Sequence, residues 1–224
     1  MMLVQITDTH IEERGALAYE RFDTAANLRN AVAAINAMDP GPDMVLHTGD
    51  MAHHGSKERY QYFRELIADL RAPFFAIPGN HDGREPFRAA FADTRWMPAE
   101  GEFLHYVVDD FDVRIICCDS VLEGRTPGGF CATRLAWLDE QLSIAPDKPT
   151  IVAMHHPPFG SAMTGTTSNG LLEGGGELSA LLKRHPQVVR VIAGHAHRPF
   201  TCAFGGYTTT EITCTPANGG GETQ

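Results

Sequence analysis

Aspartate, asparagine and histidine recur along this chain in five short groups. They are Asp8 with His10, Gly49 with Asp50, Gly79-Asn80-His81-Asp82, His155-His156-Pro157-Pro158, and Gly194-His195-Ala196-His197. Neutral imidazole is the commonest metal ligand. A mixed nitrogen and oxygen shell without thiolate suits Zn, Mn, Fe or Co. These donors are more than one tetrahedral ion takes. They suit two ions about 3.5–4 Å apart that share a bridging carboxylate, an arrangement that polarises phosphoryl oxygens and lowers the pKa of water for phosphate-ester hydrolysis. Each group alone has an ordinary alternative. An isolated His-x-His is more often a polar turn, and Asp8, Asp50 or Asn80 could each cap a following helix.

The positions of the groups argue against coincidence. LVQIT (3–7), MVLHT (44–48), PFFAIP (73–78), TIVAM (150–154) and VVRVIAG (188–194) read as buried strands, and each delivers one group at its carboxyl end. Between the first two, Asp23 or Thr24 caps a helix running to about Met38, with Leu28, Val32 and Ile35 on one face and Pro40 as the stop. Ser56 opens a second helix with Tyr60, Phe63, Ile67 and Leu70 at helical spacing, and Leu135, Trp137, Leu138 and Leu142 mark another. FLHYVVDD (103–110) and VRIICCDS (113–120) read as an antiparallel hairpin, and FTCAFG (200–205) pairs with YTTTEITCT (207–215). Alternating strands and helices predict an α/β chain with two sheets. Ligands of such sheets bind beyond the carboxyl ends of the strands, so the five groups are predicted to meet on one rim. The polar stretch 160–176 is long enough for a binding loop, with Thr164 to Asn169 at the substrate entrance.

The spaced set DTH, GD, GNHD, HHPP and GHAH resembles the calcineurin-like metallophosphoesterase family, and within it the bacterial class III cyclic-nucleotide and glycerophosphodiester phosphodiesterases. The likeness spans roughly residues 2–200. It implies a four-layer αββα sandwich, two mixed β-sheets flanked by helices. It makes Asp8, His10 and His197 ligands of one ion, and has Asp50 bridge to a second that Asn80, His156 and His195 complete. The cofactors implied are two divalent ions: Mn, Fe, Zn or Co. His81 then stands beside the metals as the catalytic residue, hydrogen-bonding the phosphate and steadying or protonating the leaving oxygen, with Asn80 also touching substrate. Neighbours at a strand end point to opposite sides, so one of His155 and His156 reaches the metals. The resemblance favours His156 and leaves His155 to orient a ligand.

Other polar residues take lesser parts. His53 and His54 read as loop histidines, with His54 within reach of substrate. His47 and His185 read as structural, His105 has no site role, and Asp82 and Gly83 make a turn. Arg198 either meets a phosphate oxygen or pairs with a surface acid. Gly194 lets the chain leave its strand sharply.

Composition bounds the partners. A 224-residue chain of net charge −10 reads as one domain over 1–215 with a flexible tail at 216–224. The acidity disfavours long nucleic acid. No apolar run approaches the roughly 18 residues needed to cross a bilayer, so no membrane partner is expected. No basic leader precedes an apolar core, which predicts a cytoplasmic protein. Five cysteines form no CxxC pair, and Cys117 and Cys118 read as free buried thiols. GDMAHHG and GNHD differ from the GDxVDRG and GNHE of the phosphoprotein phosphatases in the same family. The expected substrate is therefore a small phosphodiester, either a cyclic nucleotide or a glycerophosphodiester. Relatives of this kind usually continue past GHxH with a cap and an oligomer interface; 27 residues follow His197 here, and a homo-oligomer stays open. The alternatives are a phosphomonoesterase or nucleotidase of the same family, and a non-catalytic scaffold, whose signature of missing ligands is absent. A lone structural zinc at His195 and His197 is disfavoured by the lack of cysteine ligands.

Overall fold

Successive side chains of a strand point to opposite faces, and the central strands MVLH (44–47), RIIC (114–117) and TIVA (150–153) bury residues on both. In the computed structural model, which describes residues 1–158, 170–197, 200–204 and 207–211, that pattern sorts the core into three layers. Strands β1 (Leu3–Ile6), β2 (Met44–His47) and β3 (Phe74–Ala76) form a parallel sheet in the order β1-β2-β3. Its outer face, with Ile6, Val45 and Ala76, packs on α1 (Thr24–Asn36), α2 (Lys57–Leu66) and α3 (Arg84–Ala90) through Leu28, Val32, Tyr60, Phe63 and Phe87.

The second sheet contains β4 (Tyr106–Val108), β5 (Arg114–Cys117), β7 (Thr150–Ala153), β9 (Val188–Ala193), β10 (Phe200–Phe204) and β11 (Tyr207–Glu211), ordered β10-β11-β9-β7-β5-β4. Met44, Leu46 and Phe75 of the first sheet meet Tyr106, Ile115, Cys117 and Ile192 of the second in the central layer. The alternate residues Ile116, Val152 and Val191 face α4 (Ala132–Ile144) and α5 (Gly175–Leu182) through Leu138, Leu142, Leu178 and Leu182. Burying each large apolar side chain contributes about 1.5–3 kcal/mol, so three filled layers fix two sheets between two helical shells. This is the αββα arrangement. Among the described residues the six-stranded sheet is mixed, with β4 antiparallel to β5 and β10 to β11, whereas the three-stranded sheet is parallel rather than mixed as expected.

Asp23 caps α1 by accepting from Ala26 N at 2.8 Å, and Ser56 caps α2 by accepting from Arg59 N at 3.3 Å. A further parallel pair, β6 (Gly128–Gly129) with β8 (Leu171–Glu173), lies partly inside the stretch 160–176 read as loop. Its strands are two and three residues long and the first is Gly-Gly, so no hydrophobic period announces it. Cys117, the last residue of β5, and Cys118 just beyond it are buried free thiols in the central and outer layers respectively. Thr164 to Asn169, Arg198 and the expected tail at 216–224 lie outside the described residues. Among the described residues no helix is long and apolar enough to cross a membrane.

Candidate metal centre

Parallel pairing continues past the end of β1 and β2. Asp8 N donates to Gly49 O at 3.0 Å, His10 N to Asp50 O at 3.0 Å, and Ile11 N to Met51 O at 2.9 Å. Asp8, His10 and Asp50 therefore emerge side by side. The second sheet is joined to them at the same end: His195 N donates to both oxygens of Asp8, at 3.1 and 2.9 Å, and His155 Nδ1 lies 2.8 Å from Thr48 O. The carboxyl ends of five strands thus share one rim.

That convergence bends the backbone. Non-glycine residues with positive φ are uncommon and strained, at about 1–3 kcal/mol each. Asp8 (φ 52°), His10 (43°), Asp50 (54°), His195 (76°) and His197 (51°) all adopt it. Tyr19 (52°) and Glu20 (56°) are the remaining two among the described residues. Tyr19 sits in a tight loop closed by Ala18 and Phe22, and its exposed ring stands edge-on to His10 and His53. Nothing in the sequence singles it out.

The donor atoms fall into two groups with one shared member. In the first, His10 Nε2 lies 3.0 Å from His197 Nε2 and 3.8 Å from Asp50 Oδ2, and His197 Nε2 lies 3.3 Å from Asp8 Oδ1. One ligand atom from each of these four residues falls within 4.8 Å of the others. In the second, His155 Nε2 lies 3.3 Å from Asp50 Oδ2, 3.2 Å from Asn80 Oδ1 and 3.2 Å from His195 Nδ1. Asp50 Oδ2 belongs to both groups. Several buried nitrogens and carboxylate oxygens pointing at one another suit a cation between them.

His156, expected from the sequence as a ligand, is placed differently. It is fully buried, with Nδ1 2.8 Å from Ser120 Oγ and Nε2 3.0 Å from Thr126 O. A ring nitrogen of His156 falls within 4.8 Å of ligand atoms on His155 and His195, but both its nitrogens already have partners. Of the pair it is His155 whose Nε2 meets Asp50, Asn80 and His195. Both residues lie in the bend that follows β7, where His155 O accepts from Gly194 N at 2.9 Å and its ring turns to the rim.

The electrostatics follow from this crowding. Burial alone would raise the Asp8 carboxyl, yet the hydrogen bond from His197 and the charge of His155 hold it at about 2. Burial would also raise Asp50, but the charge and hydrogen bond of His155 keep it well below the usual range. Burial would lower His155, and the neighbouring Asp50 instead pushes it up to about 10. His10 and His195 are each lowered to about 4, chiefly by burial.

His81 sits against the centre through its backbone, donating to Asp50 Oδ1 at 2.9 Å, and its ring packs 4.8 Å from that of His10. His81 Nδ1 lies 2.6 Å from His53 O. A carbonyl only accepts, so Nδ1 carries a proton. Asp82 does more than make a turn. Its buried carboxylate accepts from Gly79 N (2.9 Å), Met51 N (3.1 Å), Ala52 N (3.3 Å) and the Tyr60 hydroxyl (2.9 Å), joining the Asp50 and Asn80 loops. His54 lines a cavity with Asn80 and His81. His105 stacks on Trp137, and His185 pairs with Asp139 at 2.6 Å, both away from the centre.

Comparison with known proteins agrees with this geometry. The family model for calcineurin-like phosphoesterases matches residues 1–199. The chain belongs to that family. This calcineurin-like phosphoesterase is 39% identical over 201 residues to a probable glycerophosphodiester phosphodiesterase, GpdQ, of Arcobacter nitrofigilis, covering 90% of this chain and 73% of the relative. It is 30% identical over 214 residues to the 3',5'-cyclic adenosine monophosphate phosphodiesterase CpdA of Escherichia coli, covering 95% and 76% respectively. Its fold matches that of a dimetal phosphatase from Danio rerio with a TM-score of 0.74, at 17% identity over 95% of this chain and 87% of the other. As a calcineurin-like phosphoesterase it is a member of a family of metal-dependent hydrolases that use a dimetal centre.

Proposed function

We propose that this phosphoesterase hydrolyses small phosphodiesters, either glycerophosphodiesters or cyclic nucleotides, at a centre of two divalent ions. One observation carries the reading: Asp50 Oδ2 is common to two separate groups of donors, 3.3 Å from His155 Nε2 and 3.8 Å from His10 Nε2. Asp8, His10, Asp50 and His197 would hold one ion, and Asp50, Asn80, His155 and His195 the other. His155 replaces His156 in this assignment, because its Nε2 meets Asp50, Asn80 and His195 while both nitrogens of His156 are engaged elsewhere. Mn, Fe, Zn and Co all suit the donor set. When bound, the ions supply Lewis-acid neutralisation of the phosphoryl oxygens and lower the pKa of water.

The protein positions these groups. Thr7 Oγ1 donates to Asp8 Oδ2 at 2.6 Å, and His195 N to both Asp8 oxygens, which fixes the Asp8 carboxylate. Asp50 Oδ1 is taken by His81 N, leaving Oδ2 as the shared atom. With Nδ1 donating to His53 O, the neutral His81 ring presents a lone pair at Nε2. It gives a proton to the leaving oxygen only as imidazolium, and in either state it is held by the same carbonyl. Asn80 and His81 also line the adjoining cavity, where the ester would lie. The relatives named for glycerophosphodiester and cyclic-nucleotide hydrolysis support the same substrate classes.

Turnover of bis(p-nitrophenyl) phosphate, after chelation and readdition of Mn, Fe, Co or Zn, tests the activity. Metal-restored release of p-nitrophenol is expected, and no metal-dependent turnover would overturn it. Glycerophosphodiesters, cAMP and 2',3'-cyclic nucleotides assayed side by side then rank the substrates.

A further inference from the structure

A cavity of about 290 Å³ opens beside the centre. It is lined by His54 and Gly55 after β2, Asn80 and His81 after β3, and Gly124, Arg125 and Thr126 after β5. This lining offers imidazole, amide, hydroxyl and guanidinium groups, with no carboxylate and no hydrocarbon side chain among the described residues. A nucleobase would find no large aromatic wall there to stack on. A charged or hydroxylated group would find donors.

The loop that carries Arg125 is exposed yet anchored. Arg84 Nη2 donates to Val121 O at 2.6 Å, and Arg134 Nη1 to Val121 O at 3.0 Å and Gly129 O at 2.6 Å. Arg125 N closes a turn on Leu122 O at 2.9 Å. Buried His156 ties in the middle: its Nε2 lies 3.0 Å from Thr126 O, and its Nδ1 2.8 Å from Ser120 Oγ at the start of the loop. The acid on this loop, Glu123, lies 3.8 Å from Arg84 Nη1. Arg125 therefore has no ion pair among the described residues, although the chain carries a net charge of −10. An unpaired guanidinium on a pre-positioned loop, facing a cavity without carboxylates, is equipped to hold an anion.

We propose that Arg125 binds negative charge on the leaving arm of the ester, so that the favoured substrates are small phosphodiesters whose alcohol carries a further anionic group. This rests on the phosphodiesterase reading and narrows it. The scissile phosphate belongs at the centre, beside Asn80 and His81, and the arm leaving past His81 enters the cavity that Arg125 closes.

The test uses two esters of nearly equal shape, 3-carboxyphenyl methyl phosphate and 3-carbamoylphenyl methyl phosphate, with phenol release measured by chromatography on the metal-loaded protein. Wild type is expected to favour the carboxylate by about 3- to 10-fold in kcat/KM, mostly through KM, the range of a partly exposed charge-assisted contact. Arg125→Gln should bring the ratio to about one, and Arg125→Glu should invert it. A wild-type ratio of one, or a ratio that survives Arg125→Gln, overturns the proposal. Calorimetric binding of the corresponding benzylphosphonate methyl esters, which lack the scissile oxygen, separates the two levels. A charge preference in binding that is lost in Arg125→Gln, without turnover of either ester, would keep the anion subsite and discard the phosphodiesterase activity.

Discussion

His155 Nε2 lies 3.3 Å from Asp50 Oδ2, where the carboxyl ends of β7 and β2 meet across the two sheets. His156, the next residue, turns to Ser120 and Thr126 instead. The bend after β7 has here divided two identical side chains between a place on the rim and a loop-holding one.

The variants His155→Ala and His156→Ala should therefore behave differently. His155→Ala is expected to lose one of two bound ions and more than 100-fold in activity. His156→Ala should keep both ions and lose about 10-fold, the usual scale for a group that supports rather than ligates. Metal analysis of the purified variants checks this. Retention of two ions by His155→Ala and loss of one by His156→Ala would reverse the assignment.

His81→Asn should lower kcat by about 10²- to 10⁴-fold, as removal of a proton-transfer group does. Its metal content should stay at the wild-type value, because His81 touches Asp50 through its backbone N–H rather than its ring. The same loss of activity accompanied by loss of metal would make His81 a structural support of the centre.

His47 predicts an acid sensitivity of the metal-free protein. It is fully buried, lying 3.0 Å from Thr9 Oγ1 through Nε2 and accepting from Gly49 N at 3.2 Å through Nδ1. Burial lowers it from 6.5 to about 3. Between those values the unfolded chain binds a proton that the folded chain refuses, so stability falls as the pH drops below about 6.5. The slope for one such group is up to about 1.4 kcal/mol per pH unit. Urea unfolding at pH 7.5 and pH 5 should show the loss, and it should shrink in His47→Gln. An unchanged pH dependence in that variant would remove His47 from the account.

Gly194→Ala should destabilise the protein and weaken metal binding through crowding. A Cβ there would fall 2.1 Å from Thr7 Oγ1, 2.9 Å from Asp8 Oδ2 and 3.1 Å from Thr48 O. The glycine is needed for this close approach of the two sheets, since its φ is not in the left-handed region. Overpacking of this kind costs typically about 1–3 kcal/mol. An alanine variant with wild-type unfolding midpoint and metal content would show that the rim has room to spare.

Much of this arrangement is legible in the sequence for physical reasons. The strand ends carry polar residues that no buried strand would otherwise tolerate, and helical spacing at Leu28, Val32 and Ile35, or at Tyr60 and Phe63, marks the faces that pack in the outer layer. The choice between His155 and His156 is not legible, because the two identical letters lie in a bend beyond β7 rather than in the strand. Long-range contacts, of His155 with Thr48 and Gly194 and of His156 with Ser120 and Thr126, decide which ring meets the rim. The β6–β8 pair is short and its first strand is Gly128 and Gly129, where an added Cβ at Gly128 would meet His156 Nδ1 at 2.3 Å. Tyr19 escapes notice because its place near His10 depends on two consecutive left-handed residues, a conformation that tyrosine and glutamate do not advertise.

The sharing of Asp50 between two ions is tested most directly by equilibrium dialysis of the chelated protein against Mn or Co, followed by counting ions per chain. Two ions are predicted for wild type, and no more than one for Asp50→Asn under the same conditions. A wild-type count of one or none, or two ions held as tightly by Asp50→Asn, would contradict a centre built around that carboxylate.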